Sequence, residues 1–103
     1  MAFTLPLTAA LRQARWKVKL RDKEIREPPH VTVIRGTDSW RIDLRTGRFM
    51  DAVPDPAQIP PELIEIVRGD VNWRRLCQEW DHMYPQNPVL ETEEASHVDD
   101  EAP

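Results

Sequence analysis

The clearest pattern in the chain begins at Trp16, where apolar and basic residues alternate. From Trp16 to Arg21 every second residue is apolar and each residue between is Lys or Arg. A similar run covers residues 40–45 and begins with Trp40. Because successive side chains of a strand point to opposite faces, this period of two predicts strands with one buried and one hydrated face.

A further strand is predicted between these two, over residues 30–35, which are rich in β-branched side chains. The prolines of the preceding segment, residues 27–29, favour an extended chain. Residues 22–24 and 36–39 have turn-forming composition, and residues 48–50 predict a short additional strand. The expected sheet is an antiparallel meander of three or four strands.

Helices are predicted on both sides of this meander. Residues 8–15 predict a short N-terminal helix with Thr8 as its N-cap. A proline-rich connector covers residues 51–61, and a helix is expected to begin near residues 60–62. Gly69-Asp70 either separates this helix from the next one or bends a single longer helix.

The last helix has the strongest periodic signal. From Asp70 to about Tyr84 apolar residues recur at intervals of three and four, as an amphipathic helix requires. These residues are Trp73, Leu76, Cys77, Trp80 and either Met83 or Tyr84. A sheet with one apolar face must cover it, and this helix is the available cover. All four tryptophans of the chain are therefore expected in the core rather than on a ligand-stacking surface.

The predicted fold class is α+β, with a short N-terminal helix, a three- to four-stranded antiparallel meander, and C-terminal helices across one face. The chain of 103 residues suits one domain, which we place at residues 1–88. Residues 91–103 contain six acidic residues and neither Lys nor Arg. Such a segment buries too little apolar surface to offset its ordering entropy, so residues 89–103 are predicted to form a disordered acidic tail.

Charge is unevenly distributed along the chain, although the net charge is only −4. Residues 12–48 contain eleven basic and five acidic residues, whereas the remainder contains three basic and thirteen acidic residues. This asymmetry indicates either a polyanion-binding half beside an acidic tail or two halves that pack together. No apolar run is long enough to cross a membrane, and the N-terminus does not resemble a secretory signal. The single cysteine, Cys77, is expected to be an inert core residue, and a cytoplasmic location is the simplest expectation.

The alternating strands predict a basic face on the sheet. If the apolar residues point inward, five cations point outward: Lys17, Lys19, Arg21, Arg41 and Arg45. These residues are the tentative binding surface, and they have the charge to contact the phosphates of RNA or DNA. The face lacks aromatic residues on which bases stack. A solvated face or a surface for a protein partner is therefore favoured over nucleic-acid binding.

The sequence predicts no catalytic residue, cofactor or metal site, and a non-enzymatic role is favoured. His30, with Glu27 three residues earlier, is a possible functional histidine that has the chemistry to bind a metal or transfer a proton. However, a metal needs three or four convergent ligands, and no second His or Cys lies nearby in sequence, so a structural role for His30 is favoured. Asp43, Asp51 and Asp55 are interpreted as ordinary surface or turn acids.

Residues 16–84 resemble the small bacterial family catalogued as domain of unknown function 4160. The resemblance lies in the basic strand, the Pro-Pro-His-Val element at residues 28–31, the strand at residues 40–44, and Pro-Pro-Glu-Leu at residues 60–63. Family members commonly carry a second histidine where this chain has Thr32, so a role that needs two imidazoles is not carried over. The resemblance implies no established activity. It does imply a neighbouring small protein in an arrangement that suggests a toxin–antitoxin pair.

Two functions follow as expectations. The first is a protein-interaction module of a two-component, toxin–antitoxin-like system, whose partner is a small protein encoded nearby. The alternative is RNA binding through the basic sheet face.

Overall fold

The computed structural model describes residues 2–21 and 27–89. In chain order the elements are β1 (Phe3–Thr4), α1 (Ala9–Gln13), β2 (Trp16–Leu20), β3 (His30–Arg35), β4 (Asp38–Asp43), a 3-10 helix (Pro56–Gln58), α2 (Pro61–Arg68) and α3 (Asp70–Met83). The predicted turn at residues 22–24 and the predicted acidic tail from residue 90 onward lie outside the described residues.

The four strands form one antiparallel sheet in the order β1-β2-β3-β4. In its centre Val33 lies opposite Val18 on one side and Trp40 on the other. The predicted short strand at residues 48–50 is present as a single bridge, in which Phe49 lies opposite Ile42 along the outer edge of β4. The α+β fold class predicted from the alternation is confirmed.

One face of the sheet forms the core together with α3. Val18, Val31, Val33 and Ile42 are fully buried, and the rings of Trp16 and Trp40 pack with their centroids 5.9 Å apart. From α3, the core receives three buried side chains at the predicted helical spacing: Leu76, Cys77 and Trp80. The sequence prediction of the inward face is confirmed for these positions. Trp73 is an exception, because it is only half-buried against the edge of the core.

The bounds of β4 differ from the prediction of residues 40–45. Asp38 already pairs with Arg35, so only Gly36 and Thr37 connect β3 to β4, and Gly36 adopts a φ of 63°. A positive φ at this position is typical of two-residue hairpin turns. At the other end the side chain of Asp43 accepts hydrogen bonds from the backbone N–H groups of Arg45 and Thr46. This turn ends the strand two residues before the predicted limit.

Individual residues determine where the helices begin and end. Thr8 caps α1 through its side-chain oxygen, which accepts a hydrogen bond from the N–H of Leu11, as predicted. Of the two possibilities at Gly69, the structure has two separate helices, because Gly69 has an extended conformation between α2 and α3. A side chain at this position would begin 3.3 Å from the carbonyl oxygen of Glu65, so glycine allows the close approach.

The packed region reaches residue 89. Val89 is only 8% exposed, and its backbone N–H donates to the carboxylate of Asp81 at 2.6 Å. Among the described residues, no helix combines the length and apolar character that crossing a bilayer requires.

We predict that Leu76→Ala lowers the free energy of unfolding by about 2–5 kcal/mol, because Leu76 is fully buried between α3 and the sheet. Urea denaturation monitored by circular dichroism measures this change. Val71→Ala on the same helix is the matched control, since Val71 is 80% exposed, and its effect should stay within about 0.5 kcal/mol. Equal effects of the two substitutions would contradict the assigned buried face of α3.

Candidate functional site

The buried residues of the three helices belong to one core cluster with the inward side chains of the strands, and we call the opposite face of the sheet the outer face. Strand pairing places Lys19, Thr32 and Arg41 side by side across it, with Lys17 opposite Ile34 in the next row. Lys17 is exposed, and Ile34 is half-exposed and lies outside the hydrophobic core. Thr32 lies on this face between Lys19 and Arg41 and is buried.

Three of the predicted binding residues, Lys17, Lys19 and Arg21, lie along β2 and directly after it, and we call them the basic row. Lys17 and Arg21 are exposed, and Lys19 is half-exposed. Within the described part of the chain, none of the three side chains makes a hydrogen bond or an ion pair. No described acidic side chain therefore neutralises the charge of the basic row.

Arg41 lies on the same face, but its charge is used within the protein. Its guanidinium donates to both carboxylate oxygens of Asp51, at 3.0 and 2.8 Å, and to Oε1 of Glu27 at 3.1 Å. The backbone N–H of Arg41 also donates to Asp51, at 2.9 Å. Such bidentate pairs between arginine and a carboxylate are charge-assisted, and charge-assisted hydrogen bonds are stronger than those between neutral groups.

The electrostatic consequence of this pairing is mutual stabilisation of the charged forms. The hydrogen bonds that Arg41 donates to Asp51 hold the pKa of Asp51 below its ordinary value, and the same bonds raise the pKa of Arg41. Arg41 is therefore a structural cation that joins the β4 edge to the segments that carry Glu27 and Asp51. The expectation that Asp51 is an ordinary surface or turn acid is wrong.

The structure brings the second pair of candidate residues, Glu27 and His30, next to this ion-pair cluster. Nε2 of His30 lies 3.7 Å from Oε1 of Glu27, the oxygen that also accepts from Arg41. Nδ1 of His30 is 2.9 Å from the carbonyl oxygen of Pro28, so Nδ1 carries a proton and donates it. The imidazole packs against Trp80 with ring centroids 5.5 Å apart and is 1% exposed. His30 thus links the start of β3 to the core, and its ring is out of reach of a substrate in bulk solvent.

Arg45, the fifth predicted binding residue, is directed to a different part of the molecule. Its Nη2 donates to the carbonyl oxygen of Pro88 at 2.9 Å and to the side-chain oxygen of Asn87 at 3.3 Å. These bonds attach the end of β4 to the segment that follows α3. The five predicted cations therefore form three groups: the basic row, the ion-paired Arg41, and Arg45.

Aromatic and metal-binding chemistry on the outer face is limited. Trp16, Trp40 and Trp80 are buried, and the half-buried Trp73 lies on α3, on the other side of the sheet. Among residues 2–21 and 27–89 no group of three or more His, Cys, Asp or Glu side chains converges in a way that would bind a metal ion.

No protein-family model, curated protein or solved structure matches the chain. The resemblance to domain of unknown function 4160 stays a prediction.

We predict that Asp51→Asn lowers the free energy of unfolding by about 1–3 kcal/mol at neutral pH, because it removes a charged partner of Arg41. Since the pKa of Asp51 is lowered in the folded state, this contribution is complete above the ordinary carboxyl pKa of 3.8 and is lost as the pH falls through the lowered value. Urea denaturation of both proteins from pH 7 to pH 3 measures the difference.

Asp38→Asn is the control for this prediction. Asp38 lies in β4, the strand that carries Arg41, but it is exposed, and its side chain makes no hydrogen bond or ion pair with the described residues. The control should differ little from the parent protein at any pH. A gap between Asp51→Asn and the parent protein that stays constant down to pH 3 would contradict the ion-pair account.

Proposed function

We propose that this chain is a protein-interaction module, one member of a two-component, toxin–antitoxin-like system, and that its outer face binds an acidic surface of the partner protein. The observation that carries this proposal is the basic row. Lys17, Lys19 and Arg21 follow one another on the outer face, and none of their side chains is paired with another residue in the part of the chain that the structure describes.

The composition of the outer face suits a protein partner. Lys17 lies opposite the half-exposed Ile34, so a cation and an apolar side chain are presented together. Protein interfaces combine an apolar contact with charged groups at the rim, and complementary charge increases the rate of association and selects the partner. The strands that hold these residues are paired on both sides, so the face is ordered before binding and loses little entropy when a partner binds.

RNA binding has weaker support from the same residues. Arg41 is already paired with two carboxylates, and Arg45 is directed away from the outer face toward the segment after α3, so on the outer face only the basic row is available for the phosphates of an RNA strand. Single-strand binders combine such charge with aromatic platforms, and three of the four tryptophans of this chain are in the core. Three phosphate contacts without stacking would give weak, strongly salt-dependent binding.

The expected partner is a small protein encoded next to this chain, and the expected location of the pair is the cytoplasm. Both expectations come from the family resemblance and from the use of a single, buried cysteine. An acidic region on the partner would complement the basic row.

We predict that Lys17→Glu/Lys19→Glu weakens binding of the neighbouring gene product by about a hundredfold, because attraction to an acidic surface becomes repulsion. Isothermal titration calorimetry with the separately purified neighbour measures the affinity. Arg12→Glu/Arg74→Glu is the matched control: it makes the same change in net charge at two exposed positions away from the outer face. The control should bind within a few-fold of the parent protein.

Three results would contradict the proposal. The first is that the neighbour does not bind the parent protein. The second is that both double variants weaken binding equally, which would indicate a general effect of net charge. The third is evidence for RNA binding: a labelled single-stranded RNA binds the parent protein at low salt, loses affinity as the salt concentration increases, and does not bind Lys17→Glu/Lys19→Glu. That result would assign the outer face to RNA.

A further inference from the structure

A second surface feature lies near the end of β4, on residues that the proposed interface does not use. An open pocket of about 270 Å³ is formed between the turn after β4 and the helices α2 and α3. It is lined by Leu44, Arg45, Thr46, Gly47, Arg68 and Trp73. We propose that this pocket binds a phosphate monoester joined to a flat ring, which is the chemistry of a mononucleotide.

The charge of the pocket indicates an anionic ligand. Arg45 and Arg68 both line it, no carboxylate does, and neither guanidinium has an ion-pair partner among the described residues. Two positive charges close together repel each other unless an anion lies between them or solvent screens them. A phosphate monoester carries a charge of about −1.5 to −2 at pH 7, which matches the two guanidinium groups better than a singly charged carboxylate does.

Both guanidinium groups are held in place by backbone carbonyls rather than by acids. Nη2 of Arg68 donates to the carbonyl oxygen of Gly47 at 2.6 Å, and Nη2 of Arg45 donates to that of Pro88 at 2.9 Å. A guanidinium has five N–H donors, so each arginine keeps donors for a ligand after these bonds are made. Bonds to neutral carbonyls orient the arginines and leave their charge uncompensated, which is the arrangement that favours binding of phosphate.

Trp73 explains why the ligand should carry a ring. Of the four tryptophans it is the only one that is not buried, although the helical pattern places it on the core face of α3. Its indole forms part of the pocket wall, where a flat ring can stack on it. An indole beside two guanidinium groups provides one contact for a ring and two for the attached phosphate.

The turn beneath the pocket leaves room for this ligand. Gly47 has a φ of 77°, and apart from its chain neighbours no described residue has a heavy atom within 4 Å of the point where its Cβ would be, so the space above the turn is open. The hydroxyl oxygen of Thr46 accepts a hydrogen bond from the N–H of Arg48, and its own proton is available to a phosphate oxygen. The site thus offers donors from three side chains and an open approach.

The test follows the indole N–H signals of ¹⁵N-labelled protein by NMR during titration with phenyl phosphate. Trp73→Phe assigns the Trp73 signal by its disappearance. We expect phenyl phosphate to shift the Trp73 signal, with a Kd of about 1 mM or tighter for a ligand of this size. Signals of the buried indoles of Trp40 and Trp80 should move little.

The variants separate the contributions of charge and ring. Arg68→Gln should weaken phenyl phosphate binding by about tenfold or more, because it removes a charge-assisted contact. Trp73→Ala, followed through backbone amide shifts of the turn at residues 45–47, should weaken it by a similar factor. Arg74→Gln is the matched control, since Arg74 is exposed on α3 next to Trp73 and does not line the pocket. Its affinity should be unchanged.

Inorganic phosphate provides the comparison without a ring, and it should bind at least about tenfold more weakly than phenyl phosphate. The proposal is overturned by an unshifted Trp73 signal at millimolar phenyl phosphate, by equal affinity for the two probes, or by equal losses in Arg68→Gln and Arg74→Gln. None of these results bears on the outer face, because no residue of the basic row lines the pocket.

Discussion

The packing of one sheet face against α3 is the constraint on which the rest of the structure depends. Trp16 and Trp40 pack together on the sheet, and Trp80 packs on Tyr84 with ring centroids 4.1 Å apart at the C-terminal end of α3. Burial of these large rings provides much of the free energy available to a domain of this size. Because the strands alternate, burying the apolar residues on one face forces their basic neighbours onto the other. The outer face is therefore a direct consequence of the core.

The cations that this alternation predicts have different roles, because the role of each one depends on the residues that surround it. Lys17 on β2 lies opposite the apolar Ile34, whereas Arg41 on β4 lies beside an edge segment that carries Asp51. Arg45, just beyond the end of β4, is bonded to the chain after α3 and also lines the pocket near Trp73. Arg41 thus stabilises the fold, the basic row is available for binding, and Arg45 has both roles. The two proposed sites share no residue, because the basic row lies on and just after β2, whereas the pocket is lined by the turn after β4 and by the helices.

Much of the architecture could be predicted from the sequence, because the strands and the last helix are long enough to show a regular spacing of apolar residues. The bounds of β3 agree with the prediction, and the buried residues of α3 follow from its spacing. β1 was missed because two residues, Phe3 and Thr4, are too few to show a period. The Arg41–Asp51 pair could not be found from the sequence, since it depends on the bridge that places Phe49 beside Ile42. The pocket could not be predicted for a similar reason: Arg68 and Trp73 lie on helices whose position over the turn at Gly47 is set by tertiary packing.

Cysteine accessibility measures the sidedness of the sheet most directly. In a Cys77→Ala background, single cysteines at positions 17 and 34 report on the outer face, and cysteines at positions 18 and 33 report on the face beneath the helices. The account predicts that a maleimide labels the first pair at nearly the rate of an unfolded control, and that the second pair is protected until urea unfolds the protein. Rapid labelling at positions 18 and 33 under native conditions, with protection at 17 and 34, would show that the opposite face is buried and would contradict the account.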